Sequence, residues 1–382
     1  MNPELYKLAK LKKYNKHIIK SLITSINLNN VNFDIIKKNA SYLNKHAQNL
    51  KQVWKTLPNS YNKTVLKNDS EYIKIINIIK SNQLKDYNKF SEYLNKNKIL
   101  TRYSNSDNNI SYYMLKNEID NIDEEMIFNH IKITICLKKH FSNFGDKNKE
   151  TVLIWIPIEK GRDFNDSLLN EETLFNSEDN FNAFTASGLT YSLDNLRITL
   201  ITRYEEVDKL LIHELFHNFG LDGSLVKTNN FEKLNKVYKK TKNKTNNFDY
   251  TFSIYESYAE LSSSYFNLIF KNLFSNNIEK DLIINIFVEL LYSYNTIYNL
   301  ARINNYKNYE DFIASKSFKG NICFFEYYYL KGLMYNNYIY TINNVPDVLY
   351  EDVLNLIDKN ESLLKEVFEQ KLEQTNYKFC YY

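Results

Sequence analysis

Residues 213 to 217 of this 382-residue chain read His-Glu-Leu-Phe-His: two imidazoles four positions apart, with a carboxylate directly after the first. The chain has only six histidines, and residue frequencies put an accidental pattern of this kind at about 0.6%. On an α-helix, positions i and i+4 share a face, so His213 and His217 can turn their rings to one Zn²⁺ and leave room for a third protein ligand and a water. Glu214 lies about 100° round the helix from His213, beside such an ion and not on it. From there it can take a proton from the water, whose pKa the metal lowers towards neutrality, and later pass it to a leaving amine. His213 and His217 are thus candidate metal ligands, and Glu214 the candidate general base.

The flanking residues supply the element that must carry them. From Tyr204 to Phe219 the segment YEEVDKLLIHELFHNF predicts a helix, with Glu205, Glu206 and Asp208 near its positive end. Leu211, Leu215 and Phe219 recur every four residues and Ile212 and Phe216 widen the stripe, so one face should lie against a sheet. Gly220 is placed to stop the helix in a left-handed conformation, with Leu221 covering the end.

The motif provides two ligands and chemistry needs a third. A metzincin pattern would put a ligand three residues after the glycine, but that position is Gly223, Asp222 is one residue out of register, and the only later methionine is the distant Met334. Downstream, Tyr255-Glu256-Ser257-Tyr258-Ala259-Glu260-Leu261 sets two glutamates on one face of a second apolar helix running to about Leu273. Glu256 can complete a His-His-Glu site. Glu260, one turn on, could accept a hydrogen bond from the outer ring nitrogen of a ligand histidine.

The pairing of HELFH with a later E-x-x-A-E helix resembles the gluzincin branch of the zinc metallopeptidases, in the form found in anthrax lethal factor and its relatives. The resemblance covers roughly residues 130 to 275. It implies His213, His217 and Glu256 as zinc ligands, Glu214 as catalytic base, and Tyr250, upstream of the third ligand, as the tyrosine assisting the oxyanion. It also implies a polypeptide substrate and a zincin-like core.

Other segments fit that architecture. His130–His140 (HIKITICLKKH) and Thr151–Ile158 (TVLIWIPI) are β-branched runs of strand length. Phe184–Tyr191 and Leu196–Arg203 read as a hairpin through residues 192–195. The stretch Ser187-Gly188-Leu189-Thr190 is the candidate edge strand for holding a substrate backbone, with an ordinary hairpin an equal reading.

Composition sets the outer bounds. Hydrophobic residues at 43% and charged residues at 25% describe a globular chain. Seven glycines and four prolines beside 32 tyrosines and abundant Lys, Asn and Ile suggest an AT-rich genome, such as that of a large DNA virus. A formal net charge of +4 is too small to argue for nucleic acid. Lys239, Lys240, Lys242 and Lys244 are expected in a solvated loop. Three widely spaced cysteines (136, 323 and 380) and an amino terminus without the apolar core of a signal peptide point to a reducing, intracellular setting. The most apolar stretch, Leu282 to Leu300, contains Asn285, Glu289, Asn295 and Asn299 and reads as a buried helix, not a membrane span. No pattern specifies an oligomeric state.

The expected whole is an α+β protein in three parts. Residues 1–105 form a helical region, with helices from Asp34 to Leu57 and from Glu71 to Leu94. Residues 106–275 form a zincin-like core, a small mixed sheet plus the metal helix. Residues 276–382 form a helical lobe from Ile278–Ile303, Phe324–Ile342 and Asp347–Glu373. Zinc-dependent hydrolysis of peptide bonds is the leading functional expectation. A zinc-binding scaffold without turnover, or a zinc hydrolase of another amide or ester, are the alternatives.

Overall fold

The computed structural model describes residues 27–81, 98–105, 108–117, 122–142, 149–157, 188–202, 204, 206–222, 239–241, 254–303, 306, 308–315, 317–319, 329–342 and 345–369. These form an α+β protein whose described residues fall into two compact units. One is drawn from Asn49–Arg162 and Asn170–Leu221, the other from Met1–Gln48, Asp163–Leu169 and Asp222–Tyr382. Helix α1 (Phe33–Lys55) runs through the boundary at residues 48 and 49.

The first unit is built on a six-stranded sheet of β1 (Asn62–Leu66), β2 (Lys98–Asn105), β3 (Ile110–Asn117), β4 (Glu150–Trp155), β5 (Gly188–Leu193) and β6 (Leu196–Ile201), in the order β1-β2-β3-β4-β6-β5. The β3–β4 and β4–β6 pairs are parallel and the other three antiparallel. A parallel pair needs a crossover, and the β3–β4 connection carries helix α3 (Glu124–His140). β4 reads ETVLIW with five consecutive buried residues, as a strand covered on both faces must. On one face Leu100, Leu115, Val152, Ile154, Ile198 and Leu200 pack with Ile75, Ile78 and Ile79 of helix α2 (Ser70–Ser81). Helix α4 (Val207–Asn218) packs on β5, β6 and α3.

Three expectations are corrected in this unit. The run His130–His140 is helical, the greater part of α3. β1 and β2 precede residue 106 yet belong to the sheet, so 1–105 is not a helical region apart. The β5–β6 hairpin turns more tightly than expected, through Asp194 and Asn195 alone, with Asp194 at φ 52°. Such a positive φ is what two-residue hairpin loops require.

The second unit is helical: the residues of α1 up to Gln48, α5 (Ile254–Asn272), α6 (Ile278–Ile303), α7 (Tyr309–Ser315), α8 (Lys331–Asn337) and α9 (Val345–Glu369). Several of its buried tyrosines have their hydroxyls engaged. Tyr340 donates to Ser262 Oγ at 3.0 Å, Tyr258 to the Thr341 carbonyl at 2.9 Å and Tyr294 to Asn360 Oδ1 at 2.7 Å. Asn39 of α1 donates to the Tyr265 hydroxyl at 3.1 Å and accepts from the Tyr340 amide at 2.9 Å. An aromatic body with a partnered polar tip packs without the cost of an orphaned hydroxyl, so a tyrosine-rich chain can still build a core. Lys239 and Lys240 do not lie in a loop: β7 (Lys239–Thr241) pairs in parallel with β8 (Ser317–Lys319). Lys242 and Lys244 lie outside the described residues. Among the described residues no helix is long and apolar enough to cross a membrane.

Candidate metal centre

Helix α4 begins two or three residues later than the sequence pattern expects. Glu206 stands at its amino cap in the left-handed region (φ 58°), with no side-chain cap bond, a conformation that costs a non-glycine residue about 1–2 kcal/mol. That leaves Asp208 as the acidic residue of the first turn. Asp208 also ties the helix to α3. Its Oδ1 lies 3.0 Å from His130 Nε2, and the Tyr112 hydroxyl lies 2.8 Å from His130 Nδ1. An ionised carboxylate only accepts, so in the neutral ring Nε2 carries the proton and Nδ1 accepts from Tyr112. His130 is fully buried, with its ring 5.2 Å from that of Trp155.

The other end of α4 closes as expected. Gly220 takes φ 66°, its amide bonds the His217 carbonyl at 3.0 Å, and the Leu221 amide bonds the Phe216 carbonyl at 2.8 Å. This is the Schellman arrangement, completed by burial of Phe216 and Leu221. It fixes the carboxy-terminal turn of α4, the turn that carries His217.

Within that helix the structure brings His213 and His217 together, Nε2 to Nε2, at 3.1 Å with the rings 74° apart. His213 is 6% exposed and Glu214 is 7% exposed. Two nitrogens each bonded to one tetrahedral zinc at about 2.0–2.1 Å stand about 3.3–3.4 Å apart. The observed spacing therefore suits a shared ion, and the donor set, two neutral imidazoles on a buried helix, is of the kind zinc takes.

Glu214 faces the sheet. Thr190 of β5 donates to its Oε2 at 2.9 Å and reaches its backbone carbonyl at 3.0 Å. Two residues earlier on the same strand, a Cβ added to Gly188 would lie 2.4 Å from Glu214 Oε1 and 2.7 Å from its Cγ. The sequence pattern predicts that Gly188 makes room for a substrate backbone. In the structure the Glu214 side chain fills that space.

In the helical unit, Glu256 sits in the first turn of α5, half-buried. Glu260, one turn on, is 1% exposed and holds the fully buried Lys331 of α8 at 3.2 Å. No spacing in the sequence announced that ion pair, because its members are 71 residues apart. Asp222 is buried, whereas Gly223, Tyr250 and Ser187 lie outside the described residues. Cys136 is a buried free thiol whose pKa burial pushes up to about 12, which removes it as a nucleophile near neutrality. No family model, curated protein or solved structure matches the chain, so function is argued from the site itself.

Proposed function

We propose that the chain is a zinc-dependent metalloendopeptidase with a zincin-like core, acting on polypeptide substrates inside a cell. The observation that carries the reading is on α4: two imidazole nitrogens facing each other at 3.1 Å, with the Glu214 carboxylate anchored one residue on. A structural zinc site has no use for a base in that place. Glu256 is proposed as third ligand. Its place in the E-x-x-A-E pattern, on the first turn of α5, supports that assignment.

Zinc, when bound, supplies a water of lowered pKa and polarises the scissile carbonyl. The rest falls to this chain. The ionised Glu214 takes a proton during attack and returns it to the departing amine, work that a positioned acid–base group accelerates by about 10²–10⁴-fold. Tyr250 is proposed to donate to the developing oxyanion. Among the described residues β5 is the last strand of the sheet, with β6 on one side only, and so offers a backbone edge to an extended peptide.

Cleavage-site profiling on a proteome-derived peptide library tests the reading. Wild-type protein loaded with zinc should cut at defined positions, and Glu214→Gln should cut none of them while keeping its metal. Equal cleavage by the two proteins would remove Glu214 from the chemistry. A zinc-loaded wild type that cuts nothing would favour a binding scaffold.

A further inference from the structure

We propose that Thr190 is a positioning residue for Glu214, and that the edge strand β5 sets the orientation of the base; this rests on the reading of Glu214 as general base. The groups concerned form a chain across three elements. Asn218 of α4 donates its Nδ2–H to Thr199 Oγ1 of β6 at 3.0 Å, Thr199 Oγ1 lies 3.3 Å from Thr190 Oγ1, and Thr190 Oγ1 lies 2.9 Å from Glu214 Oε2.

Counting protons gives the chain one direction. A hydroxyl has a single proton to donate, and an ionised carboxylate and a carbonyl can only accept. Thr190 therefore spends its proton on Glu214, which it meets at both Oε2 and the backbone oxygen. Its bond with Thr199 must then run from Thr199 to Thr190, which leaves Thr199 to accept from Asn218. Each donor is committed, and the last commitment is to Glu214, shared between Oε2 and the backbone oxygen. Arg197 of β6 holds the far end by donating to the Asn218 carbonyl at 2.6 Å.

A glutamate side chain has three rotatable bonds, and reaction needs one orientation. Gly188 and Thr190 lie two apart on β5, hence on the same face of the sheet. The first leaves the space that Oε1 occupies and the second bonds Oε2. The strand thus fixes both carboxylate oxygens of a residue it does not contain. In the same way it links the base to the sheet edge: whatever pairs with β5 pairs with the strand that holds Glu214.

Thr190→Val keeps the shape and removes the proton, whereas Thr190→Ser keeps the proton. With a peptide substrate, Thr190→Val should lower kcat about tenfold or more, since a displaced group loses its alignment. KM and zinc content should stay as in wild type, and Thr190→Ser should restore most of the rate. A second readout needs no turnover. In crystal structures of the variants, the Glu214 carboxylate should leave β5 in Thr190→Val and stay in Thr190→Ser. An unmoved carboxylate in Thr190→Val, or an unchanged kcat, would overturn the proposal. Were wild type and Glu214→Gln equally inactive, the peptidase reading would fall, and the crystallographic comparison would still decide whether Thr190 holds the side chain.

Discussion

Replacing Gly188 by alanine adds one carbon where the sheet meets the Glu214 carboxylate. That carbon would stand 2.4 Å from Glu214 Oε1, 2.7 Å from Cγ and 2.8 Å from Cδ. Ordinary contacts begin near 3.5 Å, so the carboxylate must retreat by about 1 Å. The backbone itself accepts alanine, because among the described glycines only Gly220 has a positive φ. The atoms that must move belong to a long side chain, so the overpacking penalty should fall at the low end of its usual range of about 1–3 kcal/mol. Part of it is offset by the roughly 0.4–1 kcal/mol gained when a glycine leaves the unfolded chain. The expected result is a folded protein whose urea midpoint changes little and which keeps its zinc. A catalytic group displaced by about 1 Å can lose about 10²-fold in rate, close to 2.7 kcal/mol of transition-state stabilisation. The assay is kcat/KM on a profiled peptide, with zinc content and urea unfolding measured on the same preparations. A Gly188→Ala protein with wild-type kcat/KM would refute the reasoning, since the base could not then depend on that space.

Further outcomes are expected at three places in the fold. His130→Phe keeps a ring but leaves the Tyr112 hydroxyl without its imidazole partner, and should cost about 1–3 kcal/mol in urea unfolding. Asp208→Asn, whose amide oxygen still accepts from His130, should cost far less. Lys331→Met takes from the buried Glu260 carboxylate its lysine partner and should lose about 3–5 kcal/mol, most of it recovered in Lys331→Met/Glu260→Gln, where both charges of the pair are gone. His140 gives an acid-side dependence: burial lowers its pKa below the ordinary 6.5, so below that pH the unfolded chain binds a proton that the folded one resists. The stability it contributes is present above about pH 6.5 and falls as pH drops. A His140→Gln protein should show a flatter urea midpoint between pH 7.5 and 5.5, and an unchanged slope would contradict the assignment.

The parts legible in the sequence are those written locally. HELFH, its apolar stripe and the Gly220 stop are all within ten residues, and each physical cue needs no partner from elsewhere. The misreading of His130–His140 has an equally local lesson. Its alternating β-branched residues imitate a strand, and because Ile127 and every residue from His130 to Leu137 are buried, no one-sided helical stripe is visible. The end signals were present nonetheless: Asp123 caps the helix through the Glu125 amide, Glu124 and Glu125 open it, and Lys138, Lys139 and His140 close it. β1 escaped notice because only Leu66 of its five residues is buried, so no alternation marks it. The ties that hold the site could not be read at all. Thr190 and Glu214 are 24 residues apart and His130 and Asp208 are 78 apart, and only the folded sheet decides that they meet.

The most direct test of the proposed zinc centre is X-ray absorption at the zinc edge, with metal counted per chain, on wild-type, Glu214→Gln and Glu256→Ala proteins. One zinc per chain with two imidazole nitrogens and light oxygen donors at about 2.0–2.2 Å is expected for the first two, and a loss of bound metal for Glu256→Ala. Zinc absent from the wild type, or held by Glu256→Ala as tightly as by wild type, would contradict the three-ligand site.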